Sequence, residues 1–439
     1  MSSTDLVFSC PEDHLAWLTA QSRLPAGFQV GTAPCRFTAA ESGRPAQMTI
    51  TVISLDQPTP DFAACFTRNA FPGAPVRLGR ARLDAARWGA LVINNKISNV
   101  ATPDGLADAH RICAATAAAL GLEEEAILPS STGIIGWRLP VDAMLEALPH
   151  ALAARQSASI LPAATGIMTT DLYPKIRRTE LPGGASIVAI AKGAGMIEPH
   201  LATMLVYLLT DAAIPRDRLR RMLTEAVEPS FNAISIDSDQ STSDTVALLS
   251  SGRQTCNETV FAEALTRVCA DLAEDVVRNG EGVRHVIRCT VSGAPTLTIA
   301  KDVAKAVINA PLVKTAIAGN DANVGRIIMA IGKELGVHHP QVPVDHCRIA
   351  IAGDLVFADG AFRINPALEA RLHQTLVSAE LYPAGPADAH GVFRPPLHHP
   401  PHERSVPLTI DLGCGDARFT AIGADLTHEY VSENADYRS

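Results

Sequence analysis

Thr203 stands directly after a small residue, Ala202, at the head of the apolar segment Met204-Leu-Val-Tyr-Leu-Leu209. That setting suits a nucleophile as well as it suits a buried strand-edge hydroxyl. A threonine hydroxyl is a weak nucleophile unless a base lies beside it, and one solution is the residue's own α-amine, freed by cutting the preceding peptide bond. An α-amine titrates near pH ~8, so a useful fraction is unprotonated at neutrality and can accept the hydroxyl proton. Before any cut, the same hydroxyl can attack the Ala202 carbonyl in an N-to-O acyl shift, for which the small side chain leaves room. His200 is the nearest imidazole in sequence and offers a Thr–His dyad, although a freed amine already supplies the base.

Other clusters offer less. His390, His398, His399 and His402 fall within 13 residues, but the prolines between them impose extended backbone and no acidic partners recur, so no metal is expected. Asp237, Asp239 and Asp244 lack the glycine and the terminal glutamate of a calcium loop, which leaves structural hydrogen bonding around Ser241-Thr-Ser243. Gly183-Gly-Ala-Ser-Ile187 is followed by no Gly-Lys-Ser/Thr and reads as a hairpin rather than a phosphate loop. Asn320-Asp-Ala-Asn-Val-Gly-Arg326 reads as a turn that caps a helix, with anion binding at its amides as the alternative.

A nucleophile of this kind needs rigid neighbours, and apolar runs of strand length lie on both sides of it. They are Gly89-Ala-Leu-Val-Ile93, Ser186-Ile-Val-Ala-Ile-Ala191, Thr203 to Leu209, Val286-Ile-Arg-Cys-Thr-Val291 and Arg348-Ile-Ala-Ile-Ala352. Helical patterns alternate with them. One runs from an Asn257 N-cap through Phe261, Leu265, Val268, Leu272 and Val276 and closes at Gly280. A second begins near Asp104 and stops at Gly121. A third starts with Pro215 in its first turn and places Leu219, Met222, Leu223 and Ala226 on one side. This alternation predicts an α/β (α+β layered) chain, with helices packed on mixed β-sheets. Between Pro383 and Pro407 the composition shifts to proline and histidine, which reads as a surface insertion.

The segment from Lys192 to Ala212 resembles the autocleavage region of the ornithine acetyltransferases, also called bifunctional glutamate N-acetyltransferases. Further blocks resemble the same family in the same order: Ser130-Ser-Thr-Gly-Ile-Ile-Gly136, Ile167-Met-Thr-Thr-Asp171, Phe231 to Thr245, Asn279-Gly-Glu-Gly282, Lys314 to Arg326, Asp411-Leu-Gly-Cys-Gly-Asp-Ala417 and Asn434-Ala-Asp-Tyr-Arg-Ser439. The resemblance implies self-cleavage between Ala202 and Thr203 and a self-processing αββα-type fold. It implies Thr203 as nucleophile, and the Thr132 hydroxyl with the Gly133 N–H as an oxyanion hole. It further implies an amino-acid pocket formed by Thr169, Lys192, Thr203, Glu281, Asn434 and Ser439. Lys192 can pair with a substrate carboxylate and Glu281 with its ammonium. Ser439 replaces the family's usual threonine and keeps the hydroxyl.

Departures from the family pattern concentrate at the periphery. Asn94-Asn-Lys-Ile-Ser-Asn-Val100 stands where a glycine- and asparagine-rich run is common, and Lys96 and Ile97 lack glycine's backbone freedom. Val324 stands where tryptophan is usual, Glu-Pro-His precedes Leu201, and the first ~60 residues match poorly.

Composition narrows the function class. Over 439 residues, 47% apolar and 19% charged content describes a globular protein with a large core. A net charge of −9 argues against nucleic acid, which calls for a basic patch. The nine cysteines are scattered and odd in number, with no Cys-x-x-Cys pair, which fits a reducing compartment better than a disulfide framework or a zinc site. No secretory signal and no membrane-spanning apolar run is visible, so a cytoplasmic location is expected.

Taken together, these readings predict two chains from one precursor, residues 1–202 (α) and 203–439 (β), the second carrying the surface insertion at about 383–407. The expected activity is an N-acyltransferase working through a Thr203 acyl-enzyme, with no cofactor, no nucleic-acid partner and no membrane. In the family the donor is N2-acetyl-ornithine, the acceptor is glutamate, and the two-chain units pair into heterotetramers. Two alternatives stay open: an amidohydrolase of N-acyl amino acids with water as acceptor, and an inactive amino-acid-binding paralogue.

Overall fold

The computed structural model describes residues 6–198, 204–385 and 395–436, and these divide into two units. Strands are numbered along the whole chain. The first eight are β1 (Phe28–Thr38), β2 (Pro45–Thr59), β3 (Phe62–Phe66), β4 (Trp88–Asn94), β5 (Ile127–Ser131), β6 (Lys175–Glu180), β7 (Ser186–Lys192) and β8 (Leu205–Ala212). There follow β9 (Ile234–Ser235), β10 (Thr245–Gln254), β11 (Val286–Ala294), β12 (Arg348–Ile351), β13 (Asp354–Ala358), β14 (Ala361–Phe362), β15 (Val406–Asp411) and β16 (Ala417–Ala424). Helices and mixed sheets alternate as expected for an α/β chain.

One unit comprises Leu15–Asn232 and Gln240–Val276 and contains two sheets, ordered β1-β2-β4-β5 and β3-β10-β8-β7-β6. Every residue of β7 and β8 is buried. A strand covered on both faces has no polar side to present, which is why Ile187 to Ala191 and Leu205 to Leu209 read as unbroken apolar runs rather than alternating ones. Their inward side chains, Val188, Ile190, Leu205, Tyr207 and Leu209, join one core with Val30, Ile53, Leu91, Ile93 and Leu128 of the first sheet. On that sheet's other face, Ile50, Val52, Ala90 and Val92 pack against Ile112, Cys113, Met144 and Leu148 from the helices Gly105–Leu120 and Val141–Ala153. Over the second sheet, the helix Arg216–Val227 buries Leu219, Met222, Leu223 and Ala226, the face read from the sequence. The helix Glu258–Arg278 is tied to β6 by Arg177, whose guanidinium donates to both carboxylate oxygens of Asp275 at 2.6 Å.

β7 and β8 pair antiparallel, Lys192 opposite Leu205 and Ile187 opposite Thr210. Residues 199–203, and with them Ala202, Thr203 and His200, lie outside the described residues, as does Ser439. The turn before β7 is a hairpin, with Gly183 and Gly184 at φ 95° and 93°.

The other unit, made of described residues from Met1–His14, Ala233–Asp239 and Val277–Arg438, is built on a mixed sheet ordered β14-β13-β12-β15-β11-β16-β9. Val303, Val307, Ile327, Ile331, Leu372 and Leu376 of its helices pack on Ile287, Cys289, Ile349, Leu408 and Ile410. Val324, 2% exposed, fills this core as the first residue of the helix Val324–His338.

Helix ends follow the expected chemistry with small shifts. Asn257 caps its helix through Oδ1, which accepts from the N–H groups of Thr259 and Val260. Gly121 closes the helix Gly105–Leu120 in the left-handed conformation. Pro215 is the N-cap, one position before the first turn. Asn323 caps the next helix by accepting from the Arg326 N–H at 3.2 Å, the plain capping role. Gly280 is not left-handed. It is small because a Cβ there would come within 2.5 Å of Val283 Cγ2, and the left-handed turn falls instead on Gly282.

Of the proline- and histidine-rich stretch, residues 386–394 lie outside the described residues. His399 and His402 are buried, with His402 Nε2 2.9 Å from the Glu380 carbonyl, so this part of the expected surface insertion packs into its unit. All nine cysteines are free thiols, and burial pushes Cys35, Cys65 and Cys113 up to about 11, as for inert core residues. Among the described residues, no helix is long and apolar enough to cross a membrane.

Candidate functional site

Thr132 and Gly133 follow the last residue of β5, where the chain leaves the sheet edge and runs beside the segment that follows β4. Backbone bonds lace the two: Thr132 N–H to the Asn94 carbonyl, Ile134 N–H to Lys96, Ser98 N–H to Ile134, and Gly136 N–H to Val100. Ser131 Oγ donates to Asn94 Oδ1 at 2.6 Å, and Asn94 Nδ2 donates to the Ile97 carbonyl. Lys96 takes φ 80° and Asn99 φ 55°, left-handed conformations that favour glycine. A left-handed non-glycine residue costs on the order of 1–3 kcal/mol, which the lacing between the segments offsets.

Gly133 is confined by the same segment. Its φ is 119°, and a Cβ would fall 2.2 Å from the carbonyl carbon and oxygen of Lys96. Its N–H makes no hydrogen bond among the described residues. The Thr132 hydroxyl accepts from Lys192 Nζ at 3.0 Å, which leaves its own proton for another acceptor. A fixed N–H beside a hydroxyl polarised by an ammonium is a pair of donors suited to a negative oxygen.

Lys192 is the last residue of β7 and 9% exposed. A buried ammonium is costly unless paired, and two buried carboxyls face it. Asp171 receives the Lys175 ammonium and the Gly193 N–H (2.8 Å) on Oδ1, and the Thr169 N–H (2.9 Å) on Oδ2. Burial would raise its pKa, but the charges of Lys175 and Lys192 with the two Oδ1 hydrogen bonds outweigh burial and hold it at about 2. Asp244 is the opposite case. Burial pushes it well above the usual carboxylate range against hydrogen bonds from Thr67 and Ser241, the Lys192 charge and the Met204 N–H. Its Oδ2 has no hydrogen-bond partner among the described residues. Two buried carboxyls with opposed tendencies beside one lysine are an arrangement found at reactive sites.

Glu281 and Asn434 come together in the other unit. Gly282, at φ 62°, lets the helix His428–Asp436 approach so closely that a Cβ would lie 2.2 Å from the Tyr430 nitrogen. Thr427 Oγ1 donates to the Gly282 carbonyl and accepts from the Tyr430 N–H. Two turns on, Asn434 Nδ2 donates to Glu281 Oε2 at 2.9 Å. Asp237, once weighed as a metal ligand, accepts from the Tyr430 hydroxyl at 3.2 Å.

The predicted residues thus fall into two sets, Thr132, Gly133, Thr169 and Lys192 in one unit and Glu281 with Asn434 in the other. Asp171 and Lys175 were not singled out from sequence, although an acid four residues before a lysine was legible as a pair. The one group of potential metal ligands among the described residues is Asp302, Glu334 and His339, away from the histidine-rich stretch. There His339 Nε2 lies 2.9 Å from Asp302 Oδ2, an ordinary imidazole–carboxylate pair.

Comparison with known proteins bears on this geometry. The profile of the ArgJ family matches residues 36–439. The arginine biosynthesis bifunctional protein ArgJ of Bartonella quintana (strain Toulouse) is 38% identical over 403 residues, covering 88% of this chain and 90% of its own. That of Geobacter sulfurreducens is 36% identical over 422 residues, covering 92% and 98%. A crystal structure of arginine biosynthesis bifunctional protein ArgJ from Bacillus halodurans is similar at 31% identity and a TM-score of 0.44, over 53% of this chain and 98% of that one.

Proposed function

This chain belongs to the ArgJ family, and from that premise we propose that Thr203, freed by self-cleavage of the Ala202–Thr203 bond, carries an acetyl group from N2-acetylornithine to glutamate. The enzyme is an N-acyltransferase of arginine biosynthesis. The observation that carries the mechanism is the donor pair at the end of β5: the Thr132 hydroxyl polarised by Lys192, and the Gly133 N–H, which makes no hydrogen bond among the described residues.

In the precursor, Thr203 Oγ attacks the Ala202 carbonyl carbon. The C–N bond breaks, the nitrogen takes a proton, and the ester that forms is hydrolysed by water to leave an Ala202 carboxylate and a Thr203 amine. In the mature enzyme this amine takes the hydroxyl proton as Oγ attacks the acetyl carbonyl of the donor. The tetrahedral oxyanion is held by Thr132 and Gly133, the proton passes to the departing ornithine amine, and an acetyl ester remains on Thr203. Glutamate then enters and its amine attacks the ester, reversing the proton path. Lys192 meets the carboxylate of each amino acid, and Glu281, held by Asn434 in its own unit, is a carboxylate of the kind that receives an ammonium.

Cleavage yields chains of 202 and 237 residues (439 − 202). The antiparallel pairing of β7 with β8, one on each side of the cut, keeps them together. We further place the enzyme in the cytoplasm as a heterotetramer of two such pairs. The purified protein, given N2-acetylornithine and glutamate, is expected to produce N-acetylglutamate with parallel double-reciprocal lines. Intersecting lines, or free acetate in place of acetylglutamate, contradict the proposal.

A further inference from the structure

Three separate parts of the chain meet on one carboxylate. Asp171 has a fully buried side chain, and the Lys175 side chain beside it is 1% exposed. Its Oδ2 receives the N–H of Thr169 in the same loop, and its Oδ1 receives Lys175 from β6 and the Gly193 N–H at the end of β7. Gly193 has φ 148°, a conformation that side-chain-bearing residues rarely adopt. The chain leaves β7 directly after Lys192 in that conformation, and Asp171 receives the N–H there. Lys192 in turn reaches Thr132 Oγ1, which lies on the other sheet's edge loop. The path Asp171, Gly193, Lys192, Thr132 links a residue with no exposed side-chain atoms to the oxyanion donor.

We propose that Asp171 is a positioning residue for acyl transfer: its carboxylate fixes the backbone at Gly193 and at Thr169, and so aims the Lys192 ammonium at the Thr132 hydroxyl and the substrate carboxylate. This rests on the role given to Lys192 in the proposed function. Among the described residues, Asp171 and Asp244 both feel the Lys192 charge, and Lys175 lies across the Asp171 carboxylate. Asp171 also receives the N–H of Gly193, the residue beside Lys192. A carboxamide at position 171 keeps the shape but has one acceptor oxygen where the carboxylate has two, so it cannot receive both the Thr169 and the Gly193 N–H, and Lys175 loses its counter-charge.

The test is a double-mutant cycle on the full-length, self-cleaved enzyme, with rates normalised to the cleaved fraction measured by denaturing mass spectrometry. Asp171→Asn is expected to lower kcat/KM for acetyl transfer by about 10- to 100-fold, the scale of an ångström-level misplacement. Lys192→Met is expected to lower it at least as much, and the double variant to be no slower than Lys192→Met alone, because Asp171 acts through Lys192. If the two losses multiply, or Asp171→Asn matches wild type, Asp171 has only a structural role and the inference is overturned alone. If Lys192→Met itself leaves kcat/KM unchanged, the role of Lys192 in the proposed function fails and this inference fails with it. Should Asp171→Asn not fold, Asp171→Glu enters the same cycle, since it keeps the charge but displaces both oxygens, and the same outcomes decide.

Discussion

Thr132→Val tests the oxyanion assignment with little change of shape. The wild-type hydroxyl accepts from Lys192 Nζ at 3.0 Å and keeps its proton for the substrate oxygen. Valine removes one of two donors, and losing a single oxyanion donor costs roughly 10²–10³ in kcat, about 3–4 kcal/mol. It also removes a charge-assisted hydrogen bond, worth about 1.5–3 kcal/mol, from Lys192. Folding stability should fall by no more than that, because the backbone bonds from Thr132 to Asn94 and from Ile134 to Lys96 remain. The assay is kcat at saturating N2-acetylornithine and glutamate on cleaved enzyme, with the burst of ornithine release measured separately and urea melts run in parallel. Thr132→Ser should restore most of the rate. A Thr132→Val enzyme whose kcat lies within about threefold of wild type would refute the donor assignment, since no donor of ordinary worth can be lost so cheaply.

Gly133→Ala should lower both activity and stability, the latter by about 3 kcal/mol or more in a urea melt, because the new Cβ meets the Lys96 carbonyl at 2.2 Å with φ at 119°. Asp171 holds its proton less tightly folded than unfolded, so its contribution is whole above pH ~4 and is lost as pH falls through about 2. That loss is about 2 kcal/mol and should be absent from the acid-unfolding curve of Asp171→Asn. Asp244 has the reverse sign: its folded pKa is raised, so its contribution is complete below pH ~4 and declines as pH rises towards the folded value. Asp244→Asn should therefore gain in Tm relative to wild type between pH 5 and pH 8, and a constant difference across that range would show that Asp244 does not keep its proton.

What was legible in the sequence is what repeats along it. β7 and β8 stood out because burial on both faces makes every position apolar. The helix Glu258–Arg278 stood out because Phe261, Leu265, Val268, Leu272 and Val276 follow its period and Asn257 caps it. Boundaries slipped where two residues could serve the same turn, as with Gly280 and Gly282. Lys96 in a left-handed conformation was not legible, because the lacing to residues 132–136 that holds it there is set by tertiary contact rather than local preference. Thr132, Gly133, Lys192 and Asp171 all lie in motif blocks, but the partners Asp171 gathers from Thr169, Lys175 and Gly193 are not legible there, since no periodicity announces a hydrogen bond across 22 residues. In sequence Asp244 is one of three closely spaced aspartates, and its burial beside Lys192 and Met204 separates it from Asp237, which accepts from the Tyr430 hydroxyl.

The central claim is that the backbone cuts itself at Ala202–Thr203 to create the catalytic amine. Denaturing mass spectrometry of freshly purified protein, beside a Thr203→Ala variant, tests it most directly. Wild type should appear as two chains of 202 and 237 residues (439 − 202) and the variant as one chain of 439. A single intact wild-type chain that still transfers acetyl groups would contradict the account.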